Sequence, residues 1–263
     1  MVIAKNSILL NAEPFGFGPA AAIAAIAAML QVHNVPLGYI GEDHTHDLQQ
    51  AIGYRDRYDV SGHGPKTRLR VWREAAQIYG TFMTAMDFAA AEQAQRAGMQ
   101  VIVYDALSWY WPDIPDAIKK ADLYIAQDFY GVRPRVAAEI SPHTKTKVVP
   151  PIVSCCSSTK QRDVVLLNLG GLQNPIWQEA QAVNYARVMV AAVRSIFPPP
   201  QKLRIATSRR IAQALQDPDV KTYGAGEIQT ILSRTSLAIM TPGLGNIYDS
   251  AAYSIPTVWL PPQ

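Results

Sequence analysis

Short apolar runs alternate with longer helical patterns along almost the whole chain, and this alternation restricts the fold more than any other feature. Strands that are separated by helices predict a parallel sheet with helices packed on its faces. The sequence therefore predicts the α/β fold class. The apolar runs read SILLNA, PLGYIG, MQVIVYDAL, ADLYIAQ, TKVVPPIV, RDVVLLNLGG, LRIATS, VKTYG, LAIMT and PTVWL.

A strand followed by a glycine turn and a helix occurs twice, first at SILLNA and again at RDVVLLNLGG. The repeat predicts two Rossmann-like domains that face a cleft. The stretch 150–161 carries two prolines and no helical pattern, so we place the domain boundary there, with domains at 1–155 and 156–263. Within the first domain we predict two helices, over 68–79 and 83–97.

The chain given ends on a predicted strand. An open α/β sheet normally covers its last strand with a helix, so we expect the second domain to be incomplete in this sequence.

Composition excludes several classes of function. The 263 residues carry a net charge of only +3, and no run of Lys and Arg is interleaved with aromatic residues, so nucleic acid is not an expected partner. The apolar run Pro19–Leu30 is too short to span a bilayer. Cys155 and Cys156 are adjacent, which suits neither a disulfide nor a zinc site, so we expect a reduced, cytoplasmic location.

The first glycine turn lies in NAEPFGFGPAA. Gly16, Gly18 and Ala21 match the G-x-G-x-x-A pattern of dinucleotide-binding turns, which would suit an oxidoreductase. In that pattern the first glycine directly follows the strand, whereas here residues 13–15 intervene. The alternatives are a turn that needs glycine only for close packing, or an acceptor-side or phosphate-side loop of another kind of enzyme.

The second glycine turn is NLGGLQNP. Gly170 and Gly171 allow backbone N–H groups to approach a ligand just before a helix, which is typical of an anion-binding site. A plain turn remains the alternative.

The third turn, PGLGN, again precedes a helix whose positive N-terminal end favours negative charge. Asp249 lies one turn into that helix, and its carboxylate would repel phosphate. A carboxylate can instead accept two hydrogen bonds from the vicinal hydroxyls of a ribose. The combination indicates a nucleotide diphosphate, with a simple capping acid as the alternative reading of Asp249.

The last segment, TPGLGNIYDSAAYSIPTVWLPPQ, resembles the donor-binding segment of GT-B glycosyltransferases. It is most similar to the MurG-like N-acetylglucosaminyl transferases and more distantly to plant and antibiotic UDP-sugar transferases. The resemblance implies that Asp249 holds the ribose hydroxyls. It also implies that Gly243, Gly245 and Asn246 face the diphosphate, and that Gln263 starts the loop that contacts the sugar.

Two further pieces match the same family in order along the second half. GGLQN, which includes Gln173 and Asn174, matches the loop at the start of the donor domain. YGAGEI, from Tyr223 to Ile228, lies where the family holds the base ring. The resemblance therefore implies a nucleotide-sugar as co-substrate and a small molecule as acceptor.

The first half departs from the family at the position of the general base. Many such enzymes carry a histidine in the first loop, whereas Glu13 is the only ionisable residue of this loop. We predict Glu13 as the base, with a solvated loop acid as the alternative. His44 is the next candidate, together with His46. These two histidines could also be surface residues, and as a metal pair they lack an obvious third ligand.

The acceptor side also resembles nucleobase transferases of peptidyl-nucleoside antibiotic pathways. These are similar to cytosylglucuronate synthases, which join cytosine to glucuronic acid from UDP-glucuronate. The matching pieces are FGFGP, YDALSWYW and AQDFYGV. The resemblance implies that the loop Gly16, Phe17 and Gly18 contacts the acceptor. The aromatic run suggests that Trp109 stacks on a planar acceptor and that Asp105 bonds to a base edge, with an aromatic patch packed between domains as the alternative.

No metal site is predicted. The string Asp217–Pro218–Asp219 fits a D-x-D motif, but it lies between a helix and a strand and predicts a turn. Helix dipoles and backbone N–H groups would then stabilise the leaving diphosphate, and no cofactor is expected besides the UDP-sugar. Two other functions remain open, a UDP-sugar 2-epimerase of the same fold and a nucleotide-binding protein without catalysis.

Overall fold

The computed structural model describes residues 4–153, 161–172 and 178–261. The chain divides into two compact units. The first unit comprises the residues up to 14 together with 19–46 and 52–152, and the second comprises 15–18, 47–51 and the described residues from 153 onward. The boundary predicted after residue 155 lies outside the described residues. None of the helices in the described ranges has the length and apolar character needed to cross a membrane.

The first unit is built on a seven-stranded parallel sheet in the order β3-β2-β1-β4-β5-β6-β7. Its strands are β1 (Ala4–Ala12), β2 (Leu37–Gly41), β3 (Asp56–Asp59), β4 (Tyr79–Ala85), β5 (Gln100–Asp105), β6 (Leu123–Gln127) and β7 (Thr146–Val149). Its helices are α1 (Gly18–Val32), α2 (Pro65–Ala76), α3 (Phe88–Arg96), α4 (Asp116–Lys119) and α5 (Val132–Glu139). A 3₁₀ helix, Asp43–Gln49, begins in this unit, and its residues from 47 onward belong to the second.

The second unit is built on a five-stranded parallel sheet in the order β10-β9-β8-β11-β12. Its strands are β8 (Val164–Asn168), β9 (Lys202–Ala206), β10 (Val220–Lys221), β11 (Thr235–Met240) and β12 (Thr257–Trp259). Its helices are α6 (Glu179–Ile196), α7 (Arg209–Leu215), α8 (Ala225–Ser233) and α9 (Leu244–Ala252).

Burial on both faces explains why the central strands are continuous apolar runs. In β8, Leu166 and Leu167 are both fully buried, yet they belong to two different apolar clusters. Successive side chains of a strand point to opposite faces, so each cluster covers one face of the sheet. The predicted α/β class is therefore confirmed, and the strands of the second unit lie where the apolar runs predicted them.

The structure corrects the prediction between residues 68 and 97. We predicted a helix over 83–97, but Tyr79–Ala85 forms β4, and α3 begins only at Phe88. The second missed strand is Asp56–Asp59, at the edge of the sheet. The sequence YGTFMTA is rich in β-branched and aromatic residues and pairs with both β1 and β5, so packing in the centre of the sheet overrides any helical pattern.

Both sheets have the same order around their first strand, with the third, second, first, fourth and fifth strands side by side. In such sheets the connections leave in opposite directions from the first strand and its neighbour. Ligands bind outside the carboxyl ends of the strands at this switch point. Ligand-binding residues are therefore expected in the loops after β1 and β4 in the first unit, and in those after β8 and β11 in the second.

A close approach in the first sheet requires glycine at position 38. A Cβ built on Gly38 would lie 2.4 Å from the ring of Tyr79, which is fully buried and donates a hydrogen bond to Asp56 at 2.5 Å. We expect Gly38→Ala to destabilise the first unit by about 1–3 kcal/mol through overpacking. Thermal unfolding should show a decrease of about 2–4 °C in Tm for each kcal/mol.

The matched control is Gly226→Ala in α8, where a Cβ would meet no atom within 4 Å. This change should leave the unfolding of the first unit as it is. Equal stability of the Gly38→Ala variant and the native protein in urea titrations would contradict the prediction.

Candidate functional site

A buried polar network fixes the carboxyl ends of β1 and β4. The Thr84 hydroxyl donates to Asn11 Oδ1 at 2.7 Å, and the Asn11 amide donates to the carbonyl of Ile40 in β2 at 3.1 Å. Both side chains are buried. The backbone N–H of Asp87 then donates to the Thr84 hydroxyl at 3.2 Å. The network positions the residues that follow β1, β2 and β4.

Asp87 follows β4 and caps α3. Its Oδ1 accepts a hydrogen bond of 2.9 Å from the backbone N–H of Ala90. Burial raises the pKa of the Asp87 carboxyl, although the bonds from Ala90 and from the Asn11 side chain oppose the increase. Sequence reasoning missed Asp87 because it missed β4. The available signal was a run of strand-forming residues followed by an aspartate at a helix start.

Glu13 follows β1, and its backbone N–H donates to the carbonyl of Ala85 at the end of β4 at 3.0 Å. Burial, together with the negative charges of Asp87 and Glu42, raises the pKa of the Glu13 carboxyl to about 7. A carboxyl group with this pKa is largely ionised just above neutrality and still basic enough to take a proton. We call Glu13, Glu42 and Asp87 the carboxyl cluster.

Glu42 differs from the other two members because it has a cationic partner. Arg68 in α2 forms an ion pair with the Glu42 carboxylate and also donates to the carbonyl of His63 at 3.0 Å. The positive charge of Arg68 therefore offsets Glu42 more directly than it offsets Glu13. Asp87 is engaged as the cap of α3, so Glu13 is the member of the cluster that is suited to exchange a proton.

The two histidines lie in the 3₁₀ helix after β2. His44 is 6% exposed, and His46 Nε2 lies 3.8 Å from the Asp59 carboxylate with its ring edge-on to Tyr39 at 5.2 Å. His44 is therefore a buried side chain rather than one open to an acceptor. Among the described residues, no three or more His, Cys, Asp or Glu side chains are grouped so as to hold a metal ion.

In the second unit, one asparagine joins the turns after β8 and β11. Asn246 Oδ1 accepts a 3.0 Å hydrogen bond from the Asn168 amide, and Asn246 Nδ2 donates to the carbonyl of Thr241 at 2.9 Å. The backbone N–H of Thr241 donates to the carbonyl of Asn168 at 3.1 Å. Both ends of the Asn246 amide are thus engaged within the protein, so the side chain that we predicted for the diphosphate holds the two turns together.

Gly170 has the left-handed backbone that its turn requires, with φ +63°. Its N–H donates to Asn168 Oδ1 at 3.0 Å, and its carbonyl accepts a bond of 3.1 Å from Thr207. Gly171 follows as a buried residue. Gln173, Asn174 and Gln263, which we also predicted to contact the donor, lie outside the described residues.

The N-terminus of α9 lies at the end of the joined turns. Gly243 is the N-cap residue and forms no side-chain cap bond, and Gly245 is exposed. The first N–H groups of a helix have no partner within the helix, so they can serve a ligand. Asp249 lies in the second turn of α9 and is half-buried. Gly245 and Asp249 are four residues apart and therefore share one face of the helix.

Tyr223 and Ile228, which we predicted to lie where the base ring is held, both pack against an apolar cluster that contains Leu166, Met240 and Tyr253. Burial raises the pKa of the Tyr223 hydroxyl. Both side chains remain half-buried, so each keeps one side open.

Asp217 and Asp219 form the predicted turn. The Asp217 carboxylate accepts the backbone N–H of Asp219 at 3.1 Å, and both carboxylates pair with Arg194. Hydrogen bonding to Arg194 lowers the pKa of Asp217. The D-x-D string thus anchors the end of α6.

The predicted acceptor loop has Gly16 in the left-handed region, with φ +59°, and Gly18 as the first residue of α1. Phe17 is half-buried. Conformational need explains the glycine at position 16.

Asp105, which we predicted to meet a base edge, is fully buried at the end of β5. Its carboxylate accepts hydrogen bonds from the Leu107 N–H at 2.7 Å, the Trp111 indole at 3.1 Å and the Tyr124 hydroxyl at 3.1 Å. Burial raises its pKa, and these bonds together with the charge of Arg135 oppose the increase. Both carboxylate oxygens of Asp105 therefore bond to groups of the protein, and Asp105 holds the loop from Leu107 to Trp111, which we call the aromatic loop, in place rather than contacting an acceptor.

The aromatic loop presents Trp109 at the surface. The Trp109 ring lies 5.0 Å from the ring of Phe129, which follows β6, and the two planes are inclined by 38°. Trp111 turns inward instead, with its ring edge-on to Phe88 at 5.5 Å.

Comparison with known proteins gives likenesses of structure rather than of sequence. No family model matches the chain, and no curated protein matches its sequence. Arabidopsis thaliana UGT89C1 complexed with UDP-L-rhamnose superposes with a TM-score of 0.53 at 11% identity, over 99% of this chain and 80% of that one.

Two bacterial-type comparisons give the same result. MurG of Acinetobacter baumannii matches with a TM-score of 0.50 at 13% identity, over 97% of this chain and 78% of that one. CalG4, the calicheamicin glycosyltransferase, matches with a TM-score of 0.52 at 12% identity, over 98% and 80%. Two parallel Rossmann-like sheets of the same strand order thus give this protein the GT-B fold of UDP-sugar glycosyltransferases.

Proposed function

We propose that this protein transfers a sugar from a UDP-sugar to a small acceptor. The observation that carries the proposal is the pair of turns joined through Asn246, which ends at the open N-terminus of α9 with Asp249 one turn further along. Backbone N–H groups at a helix N-terminus suit a diphosphate, and a carboxylate on the same face suits the ribose hydroxyls. The fold likeness to UDP-sugar transferases supports the same assignment.

In the proposed reaction an O–H or N–H group of the acceptor attacks the anomeric carbon of the donor. The bond between that carbon and the diphosphate oxygen breaks, UDP leaves with the electron pair, and Glu13 takes the proton of the nucleophile. The α9 N–H groups stabilise the charge that develops on the diphosphate, so the proposal needs no metal. The predicted domain 1–155 would bind the acceptor, and the predicted domain 156–263 would bind the donor.

The finer proposal concerns the two substrates. A nucleobase such as cytosine as acceptor and UDP-glucuronate as donor are favoured by the resemblance of the FGFGP and YDALSWYW segments. The reduced state expected of Cys155 and Cys156 supports a cytoplasmic location for this reaction.

The test is incubation of the purified full chain with a panel of UDP-sugars, with and without cytosine, followed by mass spectrometry. We expect UDP and a glycosylated product only when both substrates are present, and the same yield with a metal chelator. An epimerised UDP-sugar formed without acceptor would establish the 2-epimerase instead. Binding of UDP without turnover of any substrate pair would establish a non-catalytic protein.

A further inference from the structure

An exposed aromatic surface lies at the carboxyl edge of the first sheet. It consists of Trp109 and Tyr110 after β5 and Phe129 and Tyr130 after β6. The two strands are neighbours, with Asp105 paired to Ala126, so both loops leave the sheet side by side. We call these four residues the aromatic surface. Trp109 is 37% exposed and Phe129 is 40% exposed, whereas side chains of this size are usually buried further.

Two charged side chains, Asp105 and Arg135, form hydrogen bonds to the loop that carries Trp109 and Tyr110. Besides the bonds to Asp105, the Arg135 guanidinium donates to the carbonyls of Ser108 at 2.8 Å and of Pro112 at 3.1 Å, and also to that of Trp111. These bonds connect the loop that carries Trp109 to α5 and to the end of β5. The exposure of Trp109 therefore accompanies a backbone that several hydrogen bonds hold in place.

The rings at the surface and the rings inside the unit are arranged differently. Tyr110 meets Trp109 edge-on at 5.9 Å, while Trp109 and Phe129 share a more nearly parallel arrangement. The internal Trp111 contacts Phe88, the residue directly after Asp87. Tyr110 also meets Trp111 edge-on at 5.6 Å, so a series of ring contacts leads from the aromatic surface through Trp111 to Phe88.

The charges beside the surface are balanced. Arg133 pairs with Asp128 at 2.6 Å, and Arg135 pairs with Glu139 at 3.1 Å. Arginines that are already paired with carboxylates give little attraction to a nucleic-acid backbone or to anionic lipid. The surface therefore favours an uncharged ring system.

We propose that Trp109 and Phe129 form a stacking platform for the acceptor, and that this platform selects neutral, planar, aromatic acceptors over saturated ones. The proposal rests on the proposed transfer reaction and specifies its acceptor class. Stacking on Trp109 and Phe129 would hold the ring at the carboxyl edge of the first sheet, the edge at which Glu13 follows β1. Offset stacking of two rings is favourable beyond the area that it buries.

The test measures acceptor binding without donor, by equilibrium dialysis of two planar probes, cytosine and 4-methylumbelliferone. 4-Methylcyclohexanol serves as the saturated probe. We expect Trp109→Leu and Phe129→Leu each to weaken binding of the planar probes by roughly three- to tenfold. Trp109→Phe keeps a ring at the position and should retain most of the affinity. The native protein and Trp109→Phe should bind the saturated probe more weakly than the planar ones, and this preference should shrink in the two leucine variants.

Several results would overturn the platform. These are equal planar-probe affinity in the leucine variants and the native chain, equal loss with Trp109→Phe, or failure of the native chain to bind either planar probe. Thermal unfolding shows whether Trp109→Leu folds, and Phe129→Leu, on a separate loop, provides a second variant. UDP binding is measured in parallel. If the native chain does not bind UDP, the proposed transfer reaction is wrong. If it binds UDP but does not prefer the planar probes to the saturated one, only the platform is wrong.

Discussion

Replacing Glu13 with glutamine should lower the turnover number by roughly 10²–10⁴-fold at saturating substrates, because glutamine cannot take the proton of the acceptor. The amide has nearly the same shape and can occupy the same half-buried position after β1. UDP affinity should therefore stay at its native value, since the donor is assigned to the other unit. Steady-state kinetics with UDP release as the readout measures both quantities.

The pH profile gives a second signature of the same role. With a Glu13 pKa of about 7, the native rate should increase about tenfold per pH unit below that value and level off above it, because only the ionised carboxylate is a base. The glutamine variant should lose this limb. Asp87→Asn removes a negative neighbour and should move the limb to lower pH.

The free energy of unfolding should decrease over the same pH range in which the rate increases. A carboxyl group whose pKa is raised in the folded state binds more protons folded than unfolded between the two pKa values. Unfolding then becomes easier as pH increases from about 4.5 to about 7, and Glu13→Gln should remove that loss. If Glu13→Gln has a higher Tm and a lower rate than the native protein above neutrality, then Glu13 serves the reaction and destabilises the fold.

Two controls make the result for Glu13 specific. Glu92 lies on α3 as an exposed acid paired with Arg96, so Glu92→Gln should leave rate and profile unchanged. His44→Gln tests the other predicted base. A near-native rate for Glu13→Gln beside a large loss for His44→Gln would reject Glu13 as the base.

Replacing Asp249 with asparagine should weaken UDP binding by about 1.5–3 kcal/mol, because hydrogen bonds to a charged acceptor are lost. This corresponds to roughly a 10- to 150-fold increase in the Kd for UDP, measured by calorimetry. The hydrogen bonds that join the turns after β8 and β11 are made by Asn168, Thr241 and Asn246, and asparagine keeps the shape of the side chain at position 249. The fold of α9 should therefore persist.

A deoxyribose analogue locates the effect on the sugar. If Asp249 accepts from the ribose 2′-hydroxyl, the native protein should prefer UDP to 2′-deoxy-UDP, and Asp249→Asn should lose most of that preference. Asp219→Asn, at an exposed ion pair with Arg194, should leave UDP affinity unchanged. Equal UDP affinity in the native and Asp249→Asn proteins would remove Asp249 from the site.

Much of the second unit could be predicted from the sequence because its signals are local. β8 is a run of residues buried on both faces, Gly170 stands where its backbone is left-handed, and α6, the helix expected after the second glycine turn, begins at Glu179. Each of these depends on the residue and its near neighbours. For the same reason the glycine turns could be recognised as helix entries.

Roles that depend on distant partners could not be predicted in this way. β4 and its following Asp87 were missed because the pairing of Tyr79–Ala85 with β1 and β5 decides that segment. Asp105 and Asn246 were assigned to ligands, yet their hydrogen bonds go to Tyr124, Asn168 and other groups of the protein.

The sequence by itself determined the α/β class and the positions of the glycine turns, because hydrophobic period and backbone freedom are local properties. Only the tertiary structure decided the strand order, which brings Glu13 and Asp87 to one sheet edge and raises the pKa of Glu13 by burial. The tertiary structure also decided which polar side chains form hydrogen bonds that hold loops together. Burial and hydrogen-bond partners are set by residues far apart in the chain, so they appear only once the chain has folded.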